Sequence, residues 1–180
     1  TTANSSVDPS SGNGSGELDY PNDFEIASDG TIFVVDAYNG RIQKWSSTGV
    51  FQNWIGGGTD GWKTGAGAAT GTGDASFSGP WGIATDNTYL YIVDSWNCRI
   101  QRWEISTGDF KGWIGNGQGP LNGGDFWRNG GTGSCSANDG FFYYPAGITI
   151  NSDGDLLIAD DSACRIQKWA VDGTYIGYVG

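Results

Sequence analysis

The chain has 180 residues and carries 9 tryptophans, 8 tyrosines and 8 phenylalanines, enough large side chains for the core of one domain. Its formal net charge of −11 repels a phosphate backbone, so we expect no nucleic-acid partner. No apolar run approaches the ~20 residues of a membrane-spanning helix, and no histidine is present to serve as a general base or metal ligand.

The first segment, residues 1–20, is rich in glycine and serine and predicts a tail or a connecting segment rather than a helix or strand. It contains two Asn-x-Ser sequons, which make Asn4 and Asn13 candidate glycosylation sites. Because the sequence begins at Thr1, we expect a processed chain or an excerpt of a longer one.

Three similar blocks follow, at residues 21–45, 80–103 and 145–169. Each has an apolar run ending in Asp, an Arg five positions later and a Trp four positions after that. The matching residues are Asp36, Arg41 and Trp45, then Asp94, Arg99 and Trp103, then Asp160, Arg165 and Trp169. A repeat of this length is typical of solenoids and propellers.

Within each block, short β-branched and aromatic runs alternate with turn residues such as Asp29-Gly30 and Asp153-Gly154. This pattern predicts four antiparallel strands per block, the arrangement of a β-propeller blade. We therefore predict an all-β chain in which residues 21–180 form three blades, at about 21–56, 80–115 and 145–180.

The blocks resemble NHL repeats through the segments PWGIA at 80–84, PAGIT at 145–149, and VDAYNGRIQ and VDSWNCRIQ at 35–43 and 93–101. The first block departs from the pattern with Asp23 in place of glycine. The resemblance implies a propeller, usually of six blades. Three blades would then be half of a ring completed by a second copy, part of an open array or filament, or part of a longer chain.

The repeated acidic and basic residues predict ion pairs across the loop that joins two adjacent strands. Because each pair recurs in every block, we interpret the pairs as structural braces rather than catalytic groups. The pairs are Asp36–Arg41, Asp94–Arg99 and Asp160–Arg165.

Several aromatic residues fall in loops and inter-block segments, and we expect them to gather on one face. These residues are Tyr38, Trp62, Trp81, Trp96, Trp127, Tyr143 and Tyr144. Such a face would suit self-association, stacking on sugar rings, or the capping of a glycine-rich loop layer.

Asp23 and Glu25 alternate on one side of the first inner strand, where they would line the central channel. We consider them candidate ligands for Ca²⁺. The alternative is that they form a solvated acidic patch. We expect no other cofactor. The lack of histidine and of a GxSxG motif predicts that the chain is not an enzyme. A metal-dependent hydrolase or lyase using these two carboxylates is the alternative.

The three cysteines predict one disulfide, in which Cys135 pairs with Cys164 or, less favoured, with Cys98. A possible disulfide, an acidic surface and a sequence that does not begin with Met lead us to expect an extracellular location. The expected function is that of a structural subunit that associates with itself as an oligomer or filament. Carbohydrate or other ligand binding is the alternative.

Overall fold

The computed structural model describes residues 11–67, 70–117 and 126–180, and in these ranges the chain forms three antiparallel sheets. Blade 1 contains β1 Pro21–Ile26, β2 Ile32–Asp36, β3 Arg41–Trp45, β4 Phe51–Gly56 and β5 Thr59–Lys63. Blade 2 contains β6 Pro80–Thr85, β7 Tyr89–Asp94, β8 Arg99–Glu104 and β9 Phe110–Ile114. Blade 3 contains β10 Pro145–Ile150, β11 Leu156–Asp160, β12 Arg165–Trp169 and β13 Tyr175–Val179. The four-stranded prediction is confirmed, with β5 as an additional edge strand on blade 1.

The loop between the second and third strand of each blade ends in a left-handed residue just before the repeated Arg. This residue is Gly40 in blade 1 at φ 59°, Cys98 in blade 2 at φ 50° and Cys164 in blade 3 at φ 52°. The tight turn sets the register of the next two strands, so that Asp36, Asp94 and Asp160 each pair directly with the Arg five residues later.

The blades pack face to face, and the inner strands β1, β6 and β10 lie side by side. Side chains alternate along each strand, so every blade has one face toward the preceding blade and one toward the following blade. We call these the leading face and the trailing face.

The hydrophobic core lies between the blades. The trailing face of blade 1 packs on the leading face of blade 2 in one cluster, and the trailing face of blade 2 packs on blade 3 in another. Blade 2 is therefore covered on both sides, whereas blades 1 and 3 are each covered on one side by the described residues.

Candidate functional site

The predicted ion pairs form in all three blades and lie at the centre of a larger hydrogen-bond network. In blade 2, Asp94 Oδ2 accepts hydrogen bonds from Arg99 Nε at 2.7 Å and from Gln101 Nε2 at 2.8 Å, and Oδ1 accepts one from the Ser78 amide at 2.7 Å. Complete burial raises the pKa of the Asp94 carboxyl, and the Arg99 guanidinium with the donors from Ser78 and Asn97 opposes that shift.

Each Arg of the network also holds the segment that precedes its own blade. Arg99 Nη2 donates to the carbonyls of Gly73 and Ser76, both at 2.8 Å, and Arg165 Nη2 donates to the carbonyls of Asn138 and Phe141. These groups are buried and bonded to the backbone, so they connect each blade to the segment that precedes it.

The packing between blades 1 and 2 shows how two blades of this chain fit together. On blade 1 the trailing face presents Phe33, Val35, Ile42 and Ile55, and each of these side chains is completely buried. Blade 2 meets them with Ile83, Leu90, Ile92 and Trp103, none of which is more than 2% exposed. Equivalent residues of blades 2 and 3 repeat the arrangement.

The trailing face of blade 3 carries the same kind of side chains, and no described blade packs against them. Leu157 and Ala159 occupy the positions of Phe33 and Val35, and Ile166 and Val179 are their cross-strand neighbours. Ile166 is 40% exposed and Val179 is 69% exposed, whereas the equivalent Ile42 and Ile55 are inaccessible. A groove of about 470 Å³ runs along this face beside Val179 and Gly180.

The leading face of blade 1 is the second open surface. Phe24 is 61% exposed, although its equivalent in blade 2, Ile83, is only 2% exposed. Gln43 Oε1 and Trp45 Nε1 are buried without hydrogen-bond partners among the described residues, while in blade 2 the equivalent Trp103 Nε1 donates to Gln101 Oε1 at 3.1 Å. The leading face of blade 1 thus differs from that of blade 2 in the exposure of its inner-strand apolar side chain and in the missing Trp–Gln hydrogen bond.

The predicted aromatic face forms only in part. Tyr38 is stacked on Tyr20 with ring centroids 4.6 Å apart, and Tyr143 lies 5.4 Å from Tyr144. Trp96 follows the second strand of blade 2, at the same end of the sheets, and is 57% exposed. Trp81, at the start of the inner strand β6, is 45% exposed.

Two of the predicted aromatic residues, Trp62 and Trp127, belong elsewhere, which corrects the prediction. Trp62 Nε1 donates to the carbonyl of Ile105 at 2.9 Å, and Trp127 Nε1 donates to the carbonyl of Val171 at 3.0 Å. Both acceptors lie in turns at the opposite end of the sheets from Trp96. Trp62 therefore fastens the edge strand β5 of blade 1 to blade 2, and Trp127 fastens the segment after blade 2 to blade 3.

The two inner-strand carboxylates are bonded within the fold. Asp23 Oδ2 accepts a hydrogen bond from the amide of Ile83 at 3.1 Å and so ties β1 to β6. Burial, and secondarily the charge of Asp23, raises the pKa of Glu25. In the part of the chain that the structure describes, no group of three or more His, Cys, Asp or Glu side chains is placed to hold a metal ion.

Cys135 bonds Cys98, the less favoured of the two partners that the sequence left open, and Cys164 is exposed with a free thiol. This pairing follows from the path of the segment after blade 2, which passes over the Cys98 loop. The two backbones are so close there that a Cβ on Gly133 would meet the Asn97 carbonyl. Of the two sequons, Asn13 is exposed and Asn4 lies outside the described residues.

The side chains of the two open faces were not among the predicted site residues, because the same apolar residue types recur in all three blocks. Aligning the blocks identifies their positions but does not show which of them stay exposed. Leu157, Ile166 and Val179 stand at positions that are filled by buried side chains in the other blocks.

The blades and their packing define the chain as a β-propeller protein. The NHL repeat model matches residues 142–169, which confirms the resemblance in the third block. No curated protein matches the chain in sequence.

Solved structures with the same fold include two enzymes. The chain is similar to virginiamycin B lyase from Staphylococcus aureus with a TM-score of 0.52 and 14% identity, over 88% of this chain and 40% of that one. It is also similar to hydrazine synthase from Kuenenia stuttgartiensis with a TM-score of 0.57 and 11% identity, over 99% of this chain and 38% of that one. The chain therefore spans less than half the length of these proteins.

The prediction, made from composition, that the chain is not an enzyme is wrong. The fold of this chain occurs in a lyase and in a synthase, so a lack of histidine does not separate these blades from catalytic propellers. At this level of identity the likeness shows the fold alone.

None of the helices in the described ranges has the length and apolarity needed to cross a membrane.

Proposed function

We propose that this chain is an extracellular propeller subunit that associates with further copies of itself through its two open blade faces. The proposal rests on one observation: side chains that are buried between blades 1 and 2 have equivalents on blade 3 that are exposed, Val179 by 69%.

The two open faces match each other because each is one half of a contact that the chain already makes twice. The trailing face of blade 3 is equivalent to that of blade 1, and the leading face of blade 1 is equivalent to that of blade 2. Joining them head to tail would repeat the packing between blades 1 and 2. Such a contact gives a closed ring if the rotation closes, and a filament if it does not.

The extracellular part of the proposal is supported by the Cys98–Cys135 disulfide, which is stable in an oxidising compartment. The exposed Asn13 sequon would be accessible to glycosylation there.

Light scattering of the native protein tests the association. The unmodified chain should have a mass that is a multiple of 19.0 kDa, and Ile166→Asp should return it to 19.0 kDa because the variant places a charge on the trailing face. Phe24→Asp should do the same from the leading face.

Val50→Asp is the matched control, because Val50 is 61% exposed but lies in the turn before β4, away from both faces. It should leave the mass unchanged. An unmodified chain that stays at 19.0 kDa up to high concentration would contradict the proposal.

Carbohydrate binding is a second candidate, favoured by the exposed aromatic side chains at one end of the sheets. Tyr20, Tyr38, Trp96 and Tyr144 each expose 44% or more of their surface, and flat aromatic surfaces stack on sugar rings. A glycan array tests this function: binding should be lost in Trp96→Ala and kept in Tyr178→Ala, which removes an aromatic side chain of similar exposure on β13.

A further inference from the structure

We infer that residues 11–18 of a second copy occupy the groove beside Cys164, with that copy's Leu18 next to Gly180 and its Ser11 next to Cys164. The inference deepens the proposed function and rests on it.

The segment before each blade folds in the same way, which fixes the equivalent positions. The amide of Gly71 donates to the carbonyl of Phe77 at 2.9 Å, and that of Ser136 donates to the carbonyl of Phe142 at 3.0 Å. Before blade 1 the amide of Gly12 donates to the carbonyl of Leu18 at 3.3 Å. Leu18 is therefore the equivalent of the two phenylalanines, and Ser11 is the equivalent of Cys135.

The two phenylalanines show what the groove normally receives. Phe77 is fully buried against Gly56 at the end of β4, and Phe142 is fully buried against Gly115 just after β9. A Cβ on Gly56 would lie 3.1 Å from the Phe77 ring, and one on Gly115 would lie 2.5 Å from the Phe142 ring. These glycines leave room for an apolar side chain from the segment that follows.

Gly180 occupies the same position in blade 3, and no described segment places such a side chain beside it. A Cβ there would meet the Cys164 carbonyl at 2.7 Å, as a Cβ on Gly115 meets the Cys98 carbonyl at 2.9 Å. The groove of about 470 Å³ opens at this point and is lined by Ile166, Val179 and Gly180. An apolar side chain of the size of Leu18 fits the place that Phe142 fills in blade 2.

The disulfide gives the second point of contact. Cys98 and Cys164 have the same left-handed backbone before the repeated Arg. Cys98 reaches Cys135 in the segment after its blade, with the two Cα atoms 5.1 Å apart. In the proposed head-to-tail contact, the first segment of the next copy lies on blade 3 as the segment after blade 2 lies on Cys98, so the second copy's Ser11 lies at that distance from Cys164.

The test is the single substitution Ser11→Cys, followed by mild oxidation of the full chain at a concentration where it associates. In this variant the new thiol at position 11 of one copy should form a disulfide with Cys164 of another. The product is seen as a covalent dimer on a non-reducing gel and is located by peptide mapping. A closed ring of two copies gives the dimer alone, and an open array gives a ladder of larger species.

Two controls make the crosslink specific. Adding Cys164→Ser to the Ser11→Cys variant should abolish the dimer. Ser47→Cys places a thiol on an exposed turn before β4, at the opposite end of the sheets, and should not crosslink.

Failure of the inference and failure of the proposed function give different results. A native mass above 19.0 kDa without a bond between position 11 and Cys164 would overturn the placement of the segment and leave self-association standing. A native mass of 19.0 kDa without a crosslink would overturn both.

Discussion

At the scale of single residues, the blades depend on buried charges that pair with each other and bind neighbouring backbone carbonyls. Arg99 and Asp94 are both inaccessible to solvent and 2.7 Å apart. Such a pair contributes little relative to apolar side chains of the same size, yet removing one partner leaves the other charge buried without compensation. The repeated Asp and Arg therefore depend on each other, because replacing either one alone leaves the other charge buried and unpaired.

Replacing Arg99 by methionine should destabilise the chain by about 3–5 kcal/mol, because Asp94 and the carbonyls of Gly73 and Ser76 lose their donors. Denaturant unfolding measures the change. Lys111→Met is the control, since Lys111 forms an accessible pair with Glu104 at 2.9 Å and should cost at most about 1 kcal/mol. Equal losses in the two variants would contradict the role of burial.

Glu25 should make the stability depend on pH. Burial, and then the charge of Asp23, raises its pKa in the folded chain, so the folded state keeps a proton that the unfolded state has already released. Stability attributable to Glu25 therefore falls as the pH rises from its ordinary pKa of about 4.3 through the raised value. Glu25→Gln should raise the melting temperature at pH 7 and have no such effect at pH 3.5.

Glu104 provides the opposite sign for comparison. Its hydrogen bond from Lys111, with further donors, lowers the pKa of this carboxyl, so its contribution is present at neutral pH and is lost as the pH falls through the lowered value. Glu104→Gln should therefore lower the melting temperature at pH 7. Two variants with the same pH response would rule out this assignment.

At the scale of elements, the segment between blades 2 and 3 is bonded to both of the sheets that it connects. The Cys98–Cys135 bond ties the segment after blade 2 to the loop of that blade and spans a sequence separation of 37 residues. Trp127 fastens the same segment to the turn of blade 3.

Cys135→Ser should destabilise the chain by about 4 kcal/mol, because it frees a loop of this length in the unfolded state. Guanidinium unfolding under oxidising conditions measures the loss. Cys164→Ser should have no comparable effect, since Cys164 is exposed and has no disulfide partner in the described chain. A similar loss in both variants would indicate that the thiols contribute in some other way.

At the scale of the whole molecule, charge and apolar surface oppose each other. Each copy carries a net charge of −11, while the proposed contact buries apolar side chains of blades 1 and 3. Salt shortens the range of the repulsion, from about 10 Å at 0.1 M to about 3 Å at 1 M.

Association should therefore strengthen when the NaCl concentration is raised from about 0.1 M to about 1 M, as measured by sedimentation at several protein concentrations. The Ile166→Asp variant, measured in the same salt series, should stay at 19.0 kDa. Weaker association at high salt would mean that ion pairs rather than apolar faces join the copies.

The blades could be predicted from local sequence patterns alone. The repeated Asp, Arg and Trp fall on strands of fixed length, and alternating apolar residues give each sheet two apolar faces, so local patterns were sufficient to predict them. The braces followed from the same regularity, because the turn before Arg41, Arg99 and Arg165 brings each Arg opposite its Asp.

Which surfaces remain open and where the inter-blade segments run depends on contacts between residues that are far apart in the chain. Cys135 pairs with Cys98 rather than Cys164 because of the path of its segment in space, which no local pattern records. Exposure of Ile166 and Val179 likewise depends on which neighbours each blade has, since the same residue types are buried in one blade and accessible in another.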